Sequence, residues 1–227
     1  MQFSEWEPVY IEILKDMNID RTADEASARL LKALTLNSNM ASDDELASLM
    51  TKDAIIVGGG VSGCDAKLLK MMSKNADIKR TVISAGSATD VLVANGMMPD
   101  IVVTDLDGNA EEQKKASAHG SLTLIHAHGD NTQLIMDHAK DFKGPIMITT
   151  QSSPDMILCN FGGFTDGDRA VCMARHFGAK RITLIGFDLN TPSSKPGTDP
   201  ELKKRKLGWA KKIIFDMNPA GVAITQL

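Results

Sequence analysis

Aromatic residues are scarce in this 227-residue chain, where seven Phe, two Trp and one Tyr make up 4% of the sequence. No series of rings is available on which nucleic-acid bases could stack, and the core has to be built from aliphatic residues and 13 Met. Cysteine is also sparse. Cys64, Cys159 and Cys172 form neither a CxxC pair nor an even disulfide framework, which points to a reducing compartment and to buried, structural thiols. No apolar run approaches the ~18 residues of a membrane span. The opening MQFSEWEPVYIEILKDMNID mixes acids among its apolar residues and lacks the basic segment and greasy run of a signal peptide. A strong charge of one sign is missing as well: 29 acidic and 25 basic residues leave a net charge of −4, which argues against a general nucleic-acid or membrane-surface binder. A cytoplasmic protein is the expectation.

What is present is an ordinary globular composition, 43% hydrophobic and 24% charged, sufficient for one main domain with an attachment. Residues 1–50 show helical spacing, with Leu30, Leu31, Leu34, Leu46, Leu49 and Met50 on apolar stripes and a helix start at Ser42-Asp43-Asp44-Glu45. They read as an N-terminal helical extension. From residue 51 to 227 short β-branched runs alternate with amphipathic stretches of helix length. Strands are expected at Ala54–Val57, Thr81–Ser84, Ile101–Thr104, Leu122–His126, Ile146–Thr149, Ile182–Ile185 and Val222–Thr225. Helices are expected near 64–73, 88–95, 110–118, 131–140, 166–178 and 200–214. The near-continuous apolar strands suit a sheet covered on both faces, so the fold class is α/β, a doubly wound, mostly parallel Rossmann-like sheet. Ligands of such sheets lie beyond the carboxyl ends of the strands, which directs attention to the residues that follow each one.

After the first strand, Gly58-Gly59-Gly60-Val61-Ser62-Gly63 fits a turn whose backbone amides approach a phosphate, with Gly58, Gly60 and Ser62 as its contacts. A tight turn that needs only small residues is the bland alternative. The second strand leads to Gly86, where a dinucleotide site would want an acid. Thr104-Asp105-Leu106-Asp107-Gly108 follows the third. Asp105 and Asp107 offer hard oxygens suited to Mg²⁺ bound together with nucleotide phosphates, and strand alternation would send both side chains the same way. An Asp-Gly turn with Asp105 as a helix cap is the competing reading.

The fourth strand runs into His126-Ala127-His128-Gly129-Asp130-Asn131, too polar for a buried strand end. A zinc-hydrolase motif would want His where Asn131 stands. Asp130 and Asn131 read instead as a cap and as substrate or metal contacts, and His126 and His128 as phosphate ligands or orienting groups. Gln151, after the fifth strand, joins the same set. Asn160-Phe161-Gly162-Gly163-Phe164-Thr165-Asp166-Gly167-Asp168-Arg169 has the composition of a ligand loop at a helix start. Its glycine pair would admit close backbone approach, Thr165 would contact the ligand, Asp166 or Asp168 would cap, and Arg169 would grip phosphate. Asp188 follows the sixth strand. Lys203, Lys204, Arg205, Lys206, Lys211 and Lys212 come after it, either as a solvated face or as cations for an anionic ligand, with Lys203 and Lys206 the candidates.

Asn95-Gly96-Met97-Met98-Pro99-Asp100 running into IVVTDLDG, then HAHGDN, GGFTDGDRA and GFDL, resemble in order the archaeal 6-hydroxymethyl-7,8-dihydropterin pyrophosphokinase (MptE-like) family over residues 50–227. The core of that family is similar to the catalytic domain of thiamin pyrophosphokinase. Its usual Gly-x-Gly-Pro-Ser-Leu turn is here Gly58 to Gly63, without the Pro and Leu. The resemblance implies transfer of pyrophosphate from ATP to a reduced hydroxymethylpterin, giving AMP and the pterin diphosphate. Asp105 and Asp107 would hold Mg²⁺, Asp130 would take a second metal contact or the hydroxyl proton, and Arg169 with the Lys203–Lys206 cluster would neutralise phosphates. Catalysis is thus expected from Asp105, Asp107, Asp130 and Arg169. Thiamin as acceptor, a non-catalytic nucleotide-binding protein and a zinc hydrolase are the alternatives, and a homodimer is the expected assembly.

Overall fold

In the computed structural model, residues 1–73, 79–191, 199–218 and 221–227 are described. Strands β1 (Asp53–Val57), β2 (Thr81–Ala85), β3 (Ile101–Thr104), β4 (Leu122–Ala127), β5 (Ile146–Thr150), β6 (Leu158–Cys159), β7 (Arg181–Ile185) and β8 (Ala223–Gln226) form one sheet. Its order is β6-β5-β4-β3-β2-β1-β7-β8 and every neighbouring pair is parallel. Parallel neighbours need long crossovers, and these carry α4 (Gly63–Ser73), α5 (Ala88–Ala94), α6 (Ala110–Ala118), α7 (Thr132–His138), α8 (Asp166–His176) and α9 (Pro200–Lys211). Alternation along each strand feeds two apolar layers. In β1, Ile55 and Val57 pack with Leu69 of α4 and Leu92 of α5, while Ala54 and Ile56 join the cluster containing Ala170, Val171 and Ala174 of α8. The sheet is therefore doubly wound, as its apolar strands predict. The direction of winding reverses at β1, which lies between β2 and β7.

Residues 1–50 hold α1 (Phe3–Met17), α2 (Arg21–Leu34) and α3 (Asp43–Leu49), the last opened by the expected Ser42–Glu45 capping box. In α1 the spacing of Trp6, Tyr10, Ile13 and Met17 makes one apolar stripe, which packs with Cys172 of α8 and Ile213 of the π-helical turn Lys212–Asp216 that follows α9. Polar links add to it: Asp16 accepts from Trp209 Nε1 at 2.8 Å and pairs with Arg205 at 3.1 Å. Asp20 caps α2 through the Thr22 amide. That helix sets Ala28 and Leu31 against Ile125 and Ala127 of β4 and Ile146 and Ile148 of β5. The segment Asn39–Ala41 then bonds along β5, with the Ala41 amide 2.7 Å from the Ile146 carbonyl, covering part of an edge that β6 is too short to protect.

Several details differ from the sequence reading. The two-residue β6 was not expected, because so short a strand has no periodicity to detect. The helix expected at 131–140 is a 3₁₀ turn at Gly129–Asn131, then α7, then a second 3₁₀ turn at Ala139–Asp141. The exposed Cys64, in the first turn of α4, corrects the expectation that all three thiols are buried. Cys172 does lie in the core, and burial raises its thiol to about 12. Among the described residues no helix is long and apolar enough to cross a membrane.

Candidate active site

A cavity of about 420 Å³ lies beyond the carboxyl ends of the strands, within the range of small-molecule sites. At the winding switch its floor is two chain turns in close contact. The Gly60 amide donates to the Gly186 carbonyl at 2.9 Å, and a Cβ on Gly58 or Gly60 would stand 2.8 or 2.9 Å from that same oxygen. Small residues are therefore required here by packing as well as by any ligand. Gly86, Asp188, Thr165, Lys203 and Lys206 line the same cavity, with Phe187 beside the glycine turn. The Asp188 carboxylate accepts the Asn190 and Thr191 amides at the rim, which holds it below the usual carboxylate range. Lys206 lies 6.0 Å from the centre of the Phe164 ring. The basic run thus divides: Lys203 and Lys206 face the cavity, whereas Arg205 is bound to Asp16 and Lys212 to Glu12.

Asp105, Asp107, Asp130 and Asp166 all line this cavity, although they come from three loops. Strand alternation is not what aligns the first two. β3 ends at Thr104, and Leu106 takes φ 70° with its amide on Thr104 Oγ1 at 2.8 Å and its side chain wholly buried. This left-handed turn, costly for a bulky residue, buries Leu106 while both flanking acids remain at the cavity. Nor does Asp105 cap α6; Asn109 does, through the Glu111 amide. Asp105 accepts from the Asp107 amide at 3.0 Å and from His128 Nε2 at 3.3 Å. On the other side of the same ring, the Asp130 amide lies 3.3 Å from His128 Nδ1. Burial pushes the Asp105 carboxyl up, but the bond and charge of His128, the Asp107 amide and Arg169 outweigh it and hold it at about 2. Asp166 behaves oppositely. Burial first and the Asp105 charge second drive it well above the usual range, with only partial relief from Arg169. One acid is thus firmly ionised beside another that resists ionisation.

Other expected ligand residues support the site from behind. Arg169 is 4% exposed, donating to Asp166 at 3.1 Å and to the Phe164 carbonyl at 3.0 Å, so its guanidinium is already engaged under the cavity and does not line it. Asp168 is fully buried and closes the capping box of α8 on Thr165. A Cβ on Gly163 would come 2.4 Å from the Arg169 Cα, and one on Gly162 3.0 Å from Met1 Sδ, so that glycine pair serves chain packing and not ligand approach. Ser62 bonds Asp65 at the start of α4, away from the cavity lining. Asn131 is buried, donating to the Asp105 and His126 carbonyls at 2.8 and 2.7 Å and so tying the ends of β3 and β4 together. His126 is completely buried, its Nδ1 3.0 Å from Thr149 Oγ1. Burial, with the charges of Arg169 and His128, keeps its ring neutral. Among the described residues no group of three or more His, Cys, Asp or Glu is placed to hold a metal ion by itself.

Several contributors were missed by the sequence reading. Among them, Ile19 of the link between α1 and α2 and Asp24 of α2 reach the cavity from the N-terminal region, and Phe164 joins them from the loop before α8. Asp24 is 1% exposed and accepts from Tyr10 Oη, the Gly129 amide and Gln151 Nε2, each at 2.7 Å. Trp6 Nε1 bonds the Gln151 carbonyl at 2.8 Å. Only the density of polar side chains in α2 hinted at this, and that density also describes a solvated face.

The sequence model of the 6-hydroxymethylpterin diphosphokinase MptE-like family matches residues 28–194. The chain is 39% identical to a 6-hydroxymethyl-7,8-dihydropterin pyrophosphokinase of Methanothermobacter thermautotrophicus, with 94% of each chain covered. Proteins of the same name from Pyrococcus furiosus and Methanocaldococcus jannaschii are 36% and 33% identical, over 94% of this chain and 89% and 95% of theirs. Among solved structures, the Maf glycosyltransferase of Magnetospirillum magneticum AMB-1 superposes with a TM-score of 0.54 at 16% identity, over 90% of this chain and 38% of that one, a likeness of fold alone.

Proposed function

Since the chain belongs to the 6-hydroxymethylpterin diphosphokinase MptE-like family, we propose that it transfers the pyrophosphoryl group of ATP to the hydroxymethyl oxygen of 6-hydroxymethyl-7,8-dihydropterin. The observation that carries this reading is the meeting of Asp105, Asp107 and Asp130 at one cavity with the Gly58–Gly60 turn and two lysines. In the reaction the substrate oxygen forms a bond to the β-phosphorus, the bond from that phosphorus to the α–β bridging oxygen breaks, AMP leaves with the electron pair, and the hydroxyl proton is released.

The donor set suits Mg²⁺, an ion that takes one or two carboxylates and keeps its remaining positions for water and phosphate oxygens. Asp105 and Asp107 would hold it, and the ion would draw charge from the phosphates. The chain supplies the rest. Asp105 stays ionised because His128 and the Asp107 amide favour its charged form. The Gly58–Gly60 turn lets backbone approach the phosphates, and the α8 N-terminus at Asp166–Gly167 opens on the same space. Lys203 and Lys206 neutralise charge there, and Asp130, exposed at the mouth, receives the hydroxyl proton. Positioning and charge do most of the work.

The assay combines protein, ATP, Mg²⁺ and the reduced pterin. AMP and the pterin diphosphate are expected in equal amounts, with thiamin a poor acceptor. ADP in place of AMP, a preference for thiamin, or tight ATP binding without turnover would each refute the reading. Asp105→Asn and Asp107→Asn should each lower kcat by about a hundredfold or more, as expected for loss of a preorganised charge contact.

A further inference from the structure

The cavity is long and its two ends differ. Four strand spacings of about 4.8 Å separate β5 from β1, so the Gly58–Gly60 turn at the winding switch lies roughly 19 Å along the sheet edge from Gln151. If the nucleotide phosphates take the glycine end, as the proposed function has it, the acceptor takes the β4–β5 end, where Gln151 and Gly129 meet Asp24. Gln151 is 3% exposed and its backbone is pinned by Trp6. Its carboxamide nitrogen donates to Asp24. An ionised carboxylate only accepts hydrogen bonds, and this one meets three donors: the Tyr10 hydroxyl, the Gly129 amide and the Gln151 amide. Asp24 therefore sets which way the Gln151 carboxamide lies, its nitrogen on the carboxylate and its oxygen on the opposite side, with one N–H still to spare.

We infer that Asp24, outside the stretch matched by the family model, is a positioning residue for acceptor specificity: it locks Gln151 so that an oxygen, not an NH₂ group, meets the N–H edge of the bound heterocycle. The inference rests on the proposed function for the identity of the acceptor. The oxygen would accept from ring N–H or amino groups, which a pterin carries in abundance and a purely apolar ring lacks. Asp24, only 1% exposed at the cavity, has its carboxylate taken up by these three donors. It acts through Gln151 and through the Gly129 amide, whose turn carries Asp130.

Asp24→Asn tests the lock because it keeps the shape and reverses part of the hydrogen-bond polarity. The Gly129 amide can only donate, so it claims the new side-chain oxygen, and the new NH₂ group then faces Gln151 and forces its carboxamide to turn over. The acceptor KM, and the affinity for the pterin followed by its own fluorescence without turnover, should weaken by about tenfold or more, while the KM for ATP stays within about twofold. Adding Gln151→Glu should restore acceptor binding to within about threefold, since the new carboxylate accepts from Asn and still presents an oxygen. If Asp24→Asn fails to fold, Gln151→Leu in the otherwise native chain should show the same acceptor-specific loss. Unchanged acceptor binding in folded Asp24→Asn, or equal weakening for ATP and pterin with no rescue by Gln151→Glu, would overturn the inference. A wild-type protein that neither binds nor turns over the pterin would instead overturn the proposed function.

Discussion

Gly163 makes the cost of one methyl group measurable. It sits at φ 101°, a conformation side chains resist, and the added Cβ of Ala would meet backbone of Arg169, which cannot move aside as a flexible side chain would. Gly163→Ala should lose about 3 kcal/mol or more of stability. Because the displaced residue is Arg169, partner of Asp166, activity should fall along with the midpoint of chemical denaturation, while Gly178→Ala, also at positive φ but with open space around it, should lose less of both. The contrast also explains which site residues could be read from sequence. Asp105, Asp107, Asp130, Gln151 and Asp188 were legible because each follows a strand, and topology alone sends strand ends to one rim. Arg169, Asp168 and Gly162–Gly163 have ligand-loop chemistry yet face inward, since composition does not say on which side of a chain a ligand stands. Asp24 stood among polar side chains that equally describe a solvated face; its importance arises from Gln151, 127 positions away in sequence.

Among the elements, α2 is held to the sheet both by its apolar face and by a charge at its far end. Lys32 pairs with Asp155 of the β5–β6 loop at 2.6 Å. That bond, with the Ile157 and Leu158 amides, lowers the Asp155 carboxyl to about 2. A carboxyl lowered on folding adds stability above its unfolded value, about 3.9, and the contribution is lost as the pH falls towards the folded value. Asp155 is 44% exposed, so solvent screening limits the pair to about 1 kcal/mol or less. Asp155→Asn should therefore lower Tm by about 1–3 °C at pH 7, and the gap should narrow steadily by pH 3. A gap that widened in acid would contradict this account. The elements themselves were mostly legible. β1, β3 and β4 are four to six residues long and mostly apolar, so hydrophobicity locates them within a residue or so. The turn that replaces the start of the expected 131–140 helix was not, because side-chain bonds of His128 and Asn131 decide it.

At the scale of the whole molecule, the N-terminal helices share their core with α8 and the segment after α9, and two cavity residues lie within or between them. They should unfold together with the sheet. With Trp209→Phe the buried Trp6 becomes the sole tryptophan, and its fluorescence in denaturant should change at the same midpoint as the far-ultraviolet circular dichroism. An earlier tryptophan transition would mean that α1 opens on its own. The same packing has a consequence for synthesis. Ile213 is made about two hundred residues after the apolar stripe of α1, a delay of roughly ten to forty seconds at translation speeds of about 5–20 residues per second. Throughout that interval Trp6, Tyr10, Ile13 and Met17 have no finished surface to rest on, which leaves an apolar stripe on the nascent chain open to its neighbours until the last turn is made.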